Sequence, residues 1–337
     1  MSKLRLPMAA STLTEPLVVL VGPTAVGKTA LSIPLARALN AEIVCVDSRQ
    51  IYRFMDIGTA KPTPVEQREI PHHLLDLLLP NQKSTAAQFL VAARDVLHDL
   101  QQRRKRALLV AGSGLYLQAL LYGLMPAPAA DEPLRHALHA YADRHGTPAL
   151  HAQLQRLDPV AAGQYHPHDR VRVIRAFEVT VLTGEPFSAH QQRHQQQGAV
   201  YPYVGIAISR QREELYRRIA DRCDAMLAAG WLDEVAALMA RGYSQAAPAM
   251  NSLGYRELLH YLAGWTSWAE AVAAIKRETR RFAKRQLTWF KKSPHLHWVD
   301  LSVMAEETAI NHILEVVATP ALAGETLAPY ISCDENL

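Results

Sequence analysis

The chain has 337 residues, 49% hydrophobic and 20% charged, enough apolar material for one large or two smaller soluble domains. Its uninterrupted apolar runs fall far short of the ~20 residues a membrane-crossing helix needs, so no membrane association is expected. The net charge of +4 is small, yet eight basic residues and a single acid, Glu278, fall between Lys276 and Lys292. Such a block serves either as a solvated helix face or as a polyanion contact.

The opening MSKLRLPMAASTLTEP carries a basic pair but no continuous apolar segment, so a secretory signal is not expected. VVLV (18–21) reads as a buried strand, Lys28–Leu39 as a helix and EIVCV (42–46) as a second buried strand. Pro34 falls inside that helix, where it removes a backbone hydrogen bond and should kink the chain. A helix over Ala86–Gln102 and a strand RALLVAG (106–112) follow. Strands separated by helical segments imply a parallel sheet with helices on both faces.

At LMPAPAADEP (124–133) the composition turns to Pro and Ala, which marks a boundary. From there to RHQQQGAVYP (193–202) the pattern is helical, without a strand signal. YVGIAIS (203–209) then reads as a strand. Helices are expected at 211–229, 231–241, 254–263 and 267–292, with Gly230 and Gly242 as stops. HLHWVDL (295–301) reads as a last strand, followed by one more helix. The expected division is a core of 14–125 with 200–318, a helical insertion at 126–199, and flexible tails at 1–13 and 319–337.

Gly22-Pro23-Thr24-Ala25-Val26-Gly27-Lys28-Thr29 fits G-x-x-x-x-G-K-[ST] without mismatch, between a strand and a helix. The glycines let successive amides point into one concavity, and the helix aims its positive end there. Lys28 adds a mobile charge, and the Thr29 hydroxyl is placed to ligate Mg²⁺. The motif announces a phosphorylated ligand without naming it. An ATP-splitting enzyme of this type also carries an Asp at the tip of a hydrophobic strand. Here 106–112 runs into Gly112-Ser113-Gly114, and the acid, Asp47, ends EIVCV instead. Ligands of open parallel sheets sit outside the carboxyl ends of the strands. Asp47, Ser113 and the phosphate loop are therefore expected in one crevice. Asp47 also fits a helix cap or an indirect metal partner.

The three cysteines, Cys45, Cys223 and Cys333, are widely separated and give neither a disulfide framework nor a zinc site, which fits a reducing cytoplasm. His166, His168, His190 and His194 have spacings a metal accepts, but 15 scattered histidines make coincidence common, and no zinc site is expected.

VDSRQIYRFMDIGTAKP (46–62), PHHLLD (71–76), VAGSGLYLQALLYGL (110–124), LGYRELLHYL (253–262) and TRRFAKRQLTWFKK (279–292) together resemble the tRNA dimethylallyltransferase family. The likeness runs in order from about Leu17 to Asp300. It implies a P-loop NTPase-like α/β core, a parallel sheet flanked by helices, carrying an all-helical insertion that binds tRNA. It implies transfer of a dimethylallyl group from dimethylallyl diphosphate to the exocyclic amine of the adenosine 3′ of the anticodon. The loop 22–29 would then hold the departing diphosphate, with Mg²⁺ at Thr29.

By the same resemblance Asp47 is the base, and Ser113, where many relatives have Thr, helps hold the reacting groups. Arg222 and Arg172 match arginines near the diphosphate or the RNA. Contacts to the anticodon stem-loop are implied for Asp47, Ser48, Arg49 and Gln50, and for Arg135. They are also implied for Val171, Arg172, Val173, Ile174 and Arg175, and for Asn251, Ser252, Leu253, Gly254, Tyr255 and Arg256. In the basic segment Lys284, Arg285 and Gln286 are candidates; helical spacing groups Phe282, Gln286, Trp289 and Phe290 on one side, where the aromatics are better suited to a core than to base stacking. A cytoplasmic monomer is expected. The rival readings are a P-loop small-molecule kinase, which leaves DSRQIY unexplained, and a non-catalytic RNA-binding protein.

Overall fold

The computed structural model describes residues 15–293 and 295–319. The chain runs β1 (Leu17–Val21), α1 (Lys28–Ala38), β2 (Ala41–Val46), α2 (Pro64–Glu69), β3 (His72–His73), α3 (Ala86–Gln102), β4 (Arg106–Ala111) and α4 (Gly114–Tyr122). Five helices follow, α5 (Glu132–His145), α6 (Thr147–Leu157), α7 (Pro159–Gln164), α8 (Arg170–Thr183) and α9 (Phe187–Gln195). Then come β5 (Tyr203–Ser209), α10 (Arg212–Ala228), α11 (Trp231–Ala240), α12 (Tyr255–Leu262), α13 (Trp268–Phe290), β6 (Leu296–Asp300) and α14 (Glu306–Ala318).

The six strands form one sheet in the order β3-β2-β4-β1-β5-β6, with every pairing parallel. Every residue of β1 and β2 is buried, as strands covered on both faces are, and the one charge among them, Glu42, is paired with Arg103 and His73. The register sets the site. Val21 lies opposite Ala111, and Ala111 opposite Val46. The next residues along, Gly22, Gly112 and Asp47, therefore stand level at the carboxyl edge of three adjacent strands.

Two short elements went unforeseen. Thr63 and Glu66 form a capping box that starts α2 at Pro64, and β3 adds two residues to the sheet edge by pairing His72 with Ile43. α1 continues through Pro34, so the missing N–H costs one bond without ending the helix. Residues 1–13 and 320–337 of the expected tails lie outside the described residues. Among those described, no helix is long and apolar enough to cross a membrane.

The described chain divides into two compact units, 15–121 with 200–319, and 122–199. The second is built from helices around Leu150, Leu154, Val173, Ile174, Val179 and Phe187. Within it the fully buried Glu178 accepts Nε of Arg135 at 2.9 Å, Nη1 of Arg175 at 2.6 Å and the amide of Asp131 at 2.8 Å. Burial pushes the Glu178 carboxyl up, but the two guanidinium bonds more than offset it and hold it below its ordinary range.

Candidate active site

The turn from β1 into α1 needs its glycines. A side chain on Gly22 would meet the Ile208 carbonyl oxygen at 2.8 Å, and Gly27 takes φ 116, in the left-handed region. Ala25 also sits there at φ 64. The loop is held from outside. Thr24 donates its amide to Gln286 Oε1 at 2.8 Å, Arg218 Nε donates to Ala25 O at 3.0 Å, and Arg210 Nε to Val26 O at 2.9 Å. The first turn of α1 carries no acid and its cap makes no side-chain bond, so its leading amides remain as donors. Lys28 Nζ donates to Gly22 O at 2.8 Å and Pro23 O at 3.0 Å, which leaves a third N–H. Thr29 is exposed one residue further on.

Cations gather around this loop. Burial, then the neighbouring Arg222, pulls the Lys28 ammonium down to about 8, against the opposing pull of Asp47. Arg222 is likewise held below its ordinary range, first by burial, with Arg218 adding and Asp47 opposing. Arg210 is neutralised by Glu214 at 2.5 Å, whereas Arg222 makes no ion pair among the described residues. One carboxylate therefore faces several positive groups.

Asp47 follows the last residue of β2. Its Oδ1 accepts the amides of Arg49 at 2.8 Å and Gln50 at 3.4 Å, closing a tight turn. Its Oδ2 would lie 2.7 Å from a Cβ on Gly112, so any side chain at the tip of β4 would push the carboxylate from this position. Ser113 Oγ accepts the Ser48 amide at 2.9 Å and donates to Ser48 Oγ at 3.1 Å. Ser113 thus ties the Asp47 turn to the end of β4. The two strand tips and the phosphate loop meet, as the sequence suggested.

The segment after Asp47 is secured residue by residue. Gln50 Nε2 donates to Thr59 O at 3.2 Å and Ala60 O at 3.0 Å, so this amide end is engaged internally. The buried Lys61 Nζ reaches Tyr52 O at 2.9 Å and Asp76 Oδ1 at 2.7 Å. Glu234, from the first turn of α11, accepts the amides of Asp56 at 2.8 Å, Ile57 at 2.7 Å and Gly58 at 3.1 Å, and the Tyr255 hydroxyl at 2.6 Å. Trp231 fills the space beside Gly58 and Gly254, where a Cβ at either would come within 2.0 Å of its ring. Arg49 is half-buried near Asp47, Tyr52 and Tyr116, and burial lowers its guanidinium.

Several residues implied as RNA contacts also have partners or burial within the protein. Val173 and Ile174 are buried because the period of α8 turns them into the helical core. Arg135 and Arg175 are bonded to Glu178. Arg172 pairs with Asp169 at 3.1 Å, within the helical unit, and Val171 is half-buried. Asn251 Nδ2 donates to Gln245 O at 2.9 Å, Ser252 is buried on Ala249 O, Tyr255 is buried on Glu234, and Arg256 pairs with Glu257 at 2.6 Å. Leu253 is half-buried. Gln286 is 6% exposed, with Nε2 on Gly112 O at 2.8 Å, so both ends of its amide are spent inside. Trp289 lies against Gly114, where a Cβ would meet its ring at 2.5 Å. Lys284 and Arg285 remain exposed. Sequence reasoning missed Gln286 as a brace, and Arg210, Arg218, Lys61, Trp231 and Glu234 altogether. Gln286, Arg218 and Glu234 meet partners more than a hundred residues away, as Arg210 does at Val26, so no local pattern marks them; Lys61 is bonded within its own loop region.

A family model described as IPP transferase matches residues 50–293, and one described as isopentenyl transferase matches 16–77. The tRNA dimethylallyltransferase of Geobacter sulfurreducens is 45% identical over 284 residues, 84% of this chain and 91% of the relative. That of Symbiobacterium thermophilum is 49% identical over 289 residues, 85% and 90% of the two chains. The crystal structure of a tRNA isopentenylpyrophosphate transferase from Bacillus halodurans superposes with a TM-score of 0.66 at 39% identity, covering 90% of this chain and 97% of the other. A eukaryotic dimethylallyltransferase acting on tRNA gives 0.73 at 26% identity, covering 90% and 80%. None of these likenesses favours the kinase alternative. Two family models, close relatives over nearly their whole length and a shared fold agree: the chain belongs to the tRNA dimethylallyltransferase (isopentenyl transferase) family of prenyltransferases.

Proposed function

We propose that this chain transfers the dimethylallyl group of dimethylallyl diphosphate to the exocyclic amine of the adenosine 3′ of the anticodon in tRNA, releasing diphosphate. The observation that carries this reading is the cation cluster at the phosphate loop. Lys28 and Arg222, both depressed by burial and by like charge, share Asp47 as their facing carboxylate, with the Cys223 thiol also beside Arg222. A multiply charged anion relieves that repulsion, and an allylic diphosphate supplies one. As its carbon–oxygen bond breaks, charge builds on the leaving oxygens. Amides of the loop, Lys28 and Arg222, fixed beforehand, stabilise that charge more than the ground state.

The nucleophile is weak because its lone pair is delocalised into the adenine ring. Asp47 takes an amine proton as the new carbon–nitrogen bond forms, and its turn, braced by Ser113, fixes the carboxylate for that task. Among the described residues no three His, Cys, Asp or Glu side chains are grouped to hold a metal by themselves. The hard oxygen of Thr29 suits Mg²⁺ held jointly with phosphate oxygens. When bound there, Mg²⁺ supplies further neutralisation of the leaving group. Exposed Lys284 and Arg285 are assigned to tRNA phosphates, and Asp47, Ser48, Arg49 and Gln50 to the flipped-out adenosine. The expected setting is the cytoplasm, with the chain acting as a monomer.

The test incubates the protein with labelled dimethylallyl diphosphate, Mg²⁺ and unmodified tRNA, followed by digestion and identification of the nucleoside. Label should appear on adenosine next to the anticodon. Asp47→Asn should lose at least about a hundredfold in rate, as removal of a general base does, while still binding tRNA. Full activity of that variant would remove Asp47 from the chemistry.

A further inference from the structure

Phe54 breaks two local rules. It is a bulky aromatic at φ 67, in the left-handed region that glycine, asparagine or aspartate normally occupies. It is also 38% exposed, although its neighbours Tyr52 and Met55 are buried to 1% and 0%. The strain and the exposure persist because the flanking chain is fixed. The Arg53 amide donates to Leu78 O at 2.8 Å, and the Asp56 and Ile57 amides are gripped by Glu234. The guanidinium carbon of Arg241 lies 4.2 Å from the Phe54 ring centroid. Arg241 caps the C-terminal end of α11, the helix whose first turn supplies Glu234. One helix therefore holds the loop with a carboxylate and covers the ring with a cation. Phe54 follows four residues after Gln50, the last residue whose amide Asp47 accepts.

From this arrangement we infer that Phe54 and Arg241 form a stacking platform for an unpaired nucleobase of the RNA substrate, beside the base that reacts. A rigidly presented aromatic ring offers a face to any base, and an adjacent guanidinium adds cation–π attraction and charge toward phosphate. Leu74 has the same φ but is buried, whereas Phe54 combines the strain with exposure and an adjacent cation, and strain of this kind concentrates at ligand contacts. The inference rests on the proposed activity toward tRNA.

Phe54→Gly is the decisive variant, because glycine adopts the left-handed conformation freely and the fold has no reason to suffer. Affinity for an unmodified anticodon stem-loop RNA and KM for dimethylallyl diphosphate are measured for the unsubstituted chain, Phe54→Gly and Phe54→Tyr. Phe54→Gly should bind the RNA about tenfold more weakly, the size of one lost base–aromatic stack. Its KM for the diphosphate and its melting temperature should not worsen. Phe54→Tyr, which keeps the ring, should bind as the unsubstituted chain does. If Phe54→Gly binds the RNA within twofold of the unsubstituted chain, the platform is refuted while the proposed activity stands. If none of the three chains binds RNA, both readings fall.

Discussion

Gln286 accepts the Thr24 amide and donates to the Gly112 carbonyl, each at 2.8 Å, so one side chain of α13 couples the phosphate loop to the tip of β4. Truncation to Ala strands a buried donor and a buried acceptor, a loss of about 1–3 kcal/mol apiece where water cannot replace the partner. Gln286→Ala should therefore raise KM for dimethylallyl diphosphate and lower the melting temperature, with tRNA affinity held within a fewfold. Gln286→Glu should be worse than Ala, because a carboxylate oxygen would face the Gly112 carbonyl and add negative charge beside the diphosphate. Steady-state kinetics with thermal denaturation reads both. A normal KM in both variants would free the loop from this brace.

That brace also shows where sequence reasoning stops. The phosphate loop was legible because its chemistry lies within eight consecutive residues, Gly22 to Thr29. VVLV and EIVCV announced parallel strands because an unbroken apolar run implies cover on both faces. Asp47 was legible as the residue just past such a strand. Gln286 read as a candidate RNA contact in a basic helix rather than as a brace, since its partners lie 262 and 174 residues away. Glu234 gave no signal at all, being one of two acids in an ordinary helix start. Val173 and Ile174 were grouped with RNA contacts through their neighbours, and only the inward period of α8 separates them. Local chemistry is written locally, whereas bracing is written in the tertiary fold.

Lys28 should give the site a pH dependence. Its folded-state pKa near 8 lies below the ordinary lysine value, so the folded protein carries an unfavourable charge below pH 8. Between pH 8 and about 10.4 the unfolded chain binds the extra proton, and this group's contribution to stability rises with pH across that window. Diphosphate favours the charged form and raises the pKa on binding. Affinity should accordingly fall above pH 8, by at most about tenfold per unit, with proton uptake. Titration calorimetry in buffers of different ionisation enthalpy would detect the uptake. Lys28→Met should bind weakly at all pH values and show no such slope; an unchanged slope would assign it to another group.

Glu234 serves three consecutive amides and one hydroxyl, all of which lose their acceptor in Glu234→Ala. Burial raises the Tyr255 hydroxyl well above its ordinary pKa, and Glu234 adds to that, so Tyr255 stays protonated and donating. The expected cost is about 2–4 kcal/mol of stability, given several unsatisfied groups that partly recover water. The loop 56–58 should loosen, and with it the carbonyls that hold Gln50. KM for tRNA should then rise more than KM for dimethylallyl diphosphate. Glu234→Gln keeps an acceptor oxygen and should restore most of the tRNA KM. Equal damage to both constants would indicate general destabilisation instead.

The arginines and lysines assigned to RNA should separate by their partners. Lys284 and Arg285 are exposed on α13 and make no ion pair among the described residues, so they remain available to phosphate. The affinity of the unsubstituted chain for tRNA should fall steeply between 50 and 200 mM salt, and Lys284→Ala with Arg285→Ala should flatten the logarithmic slope by about two. Their melting temperature should be unchanged, since exposed side chains contribute little to folding. Arg135 and Arg175 behave differently because each holds Glu178, which is 0% exposed. Removing either leaves that carboxylate short of charge compensation, at a cost of about 3 kcal/mol. Arg175→Ala should therefore lower the melting temperature of the helical unit, and Arg175→Ala with Glu178→Leu should recover part of the loss by removing the orphaned charge. A flat melting temperature in Arg175→Ala, with a reduced salt slope, would instead return this arginine to the RNA.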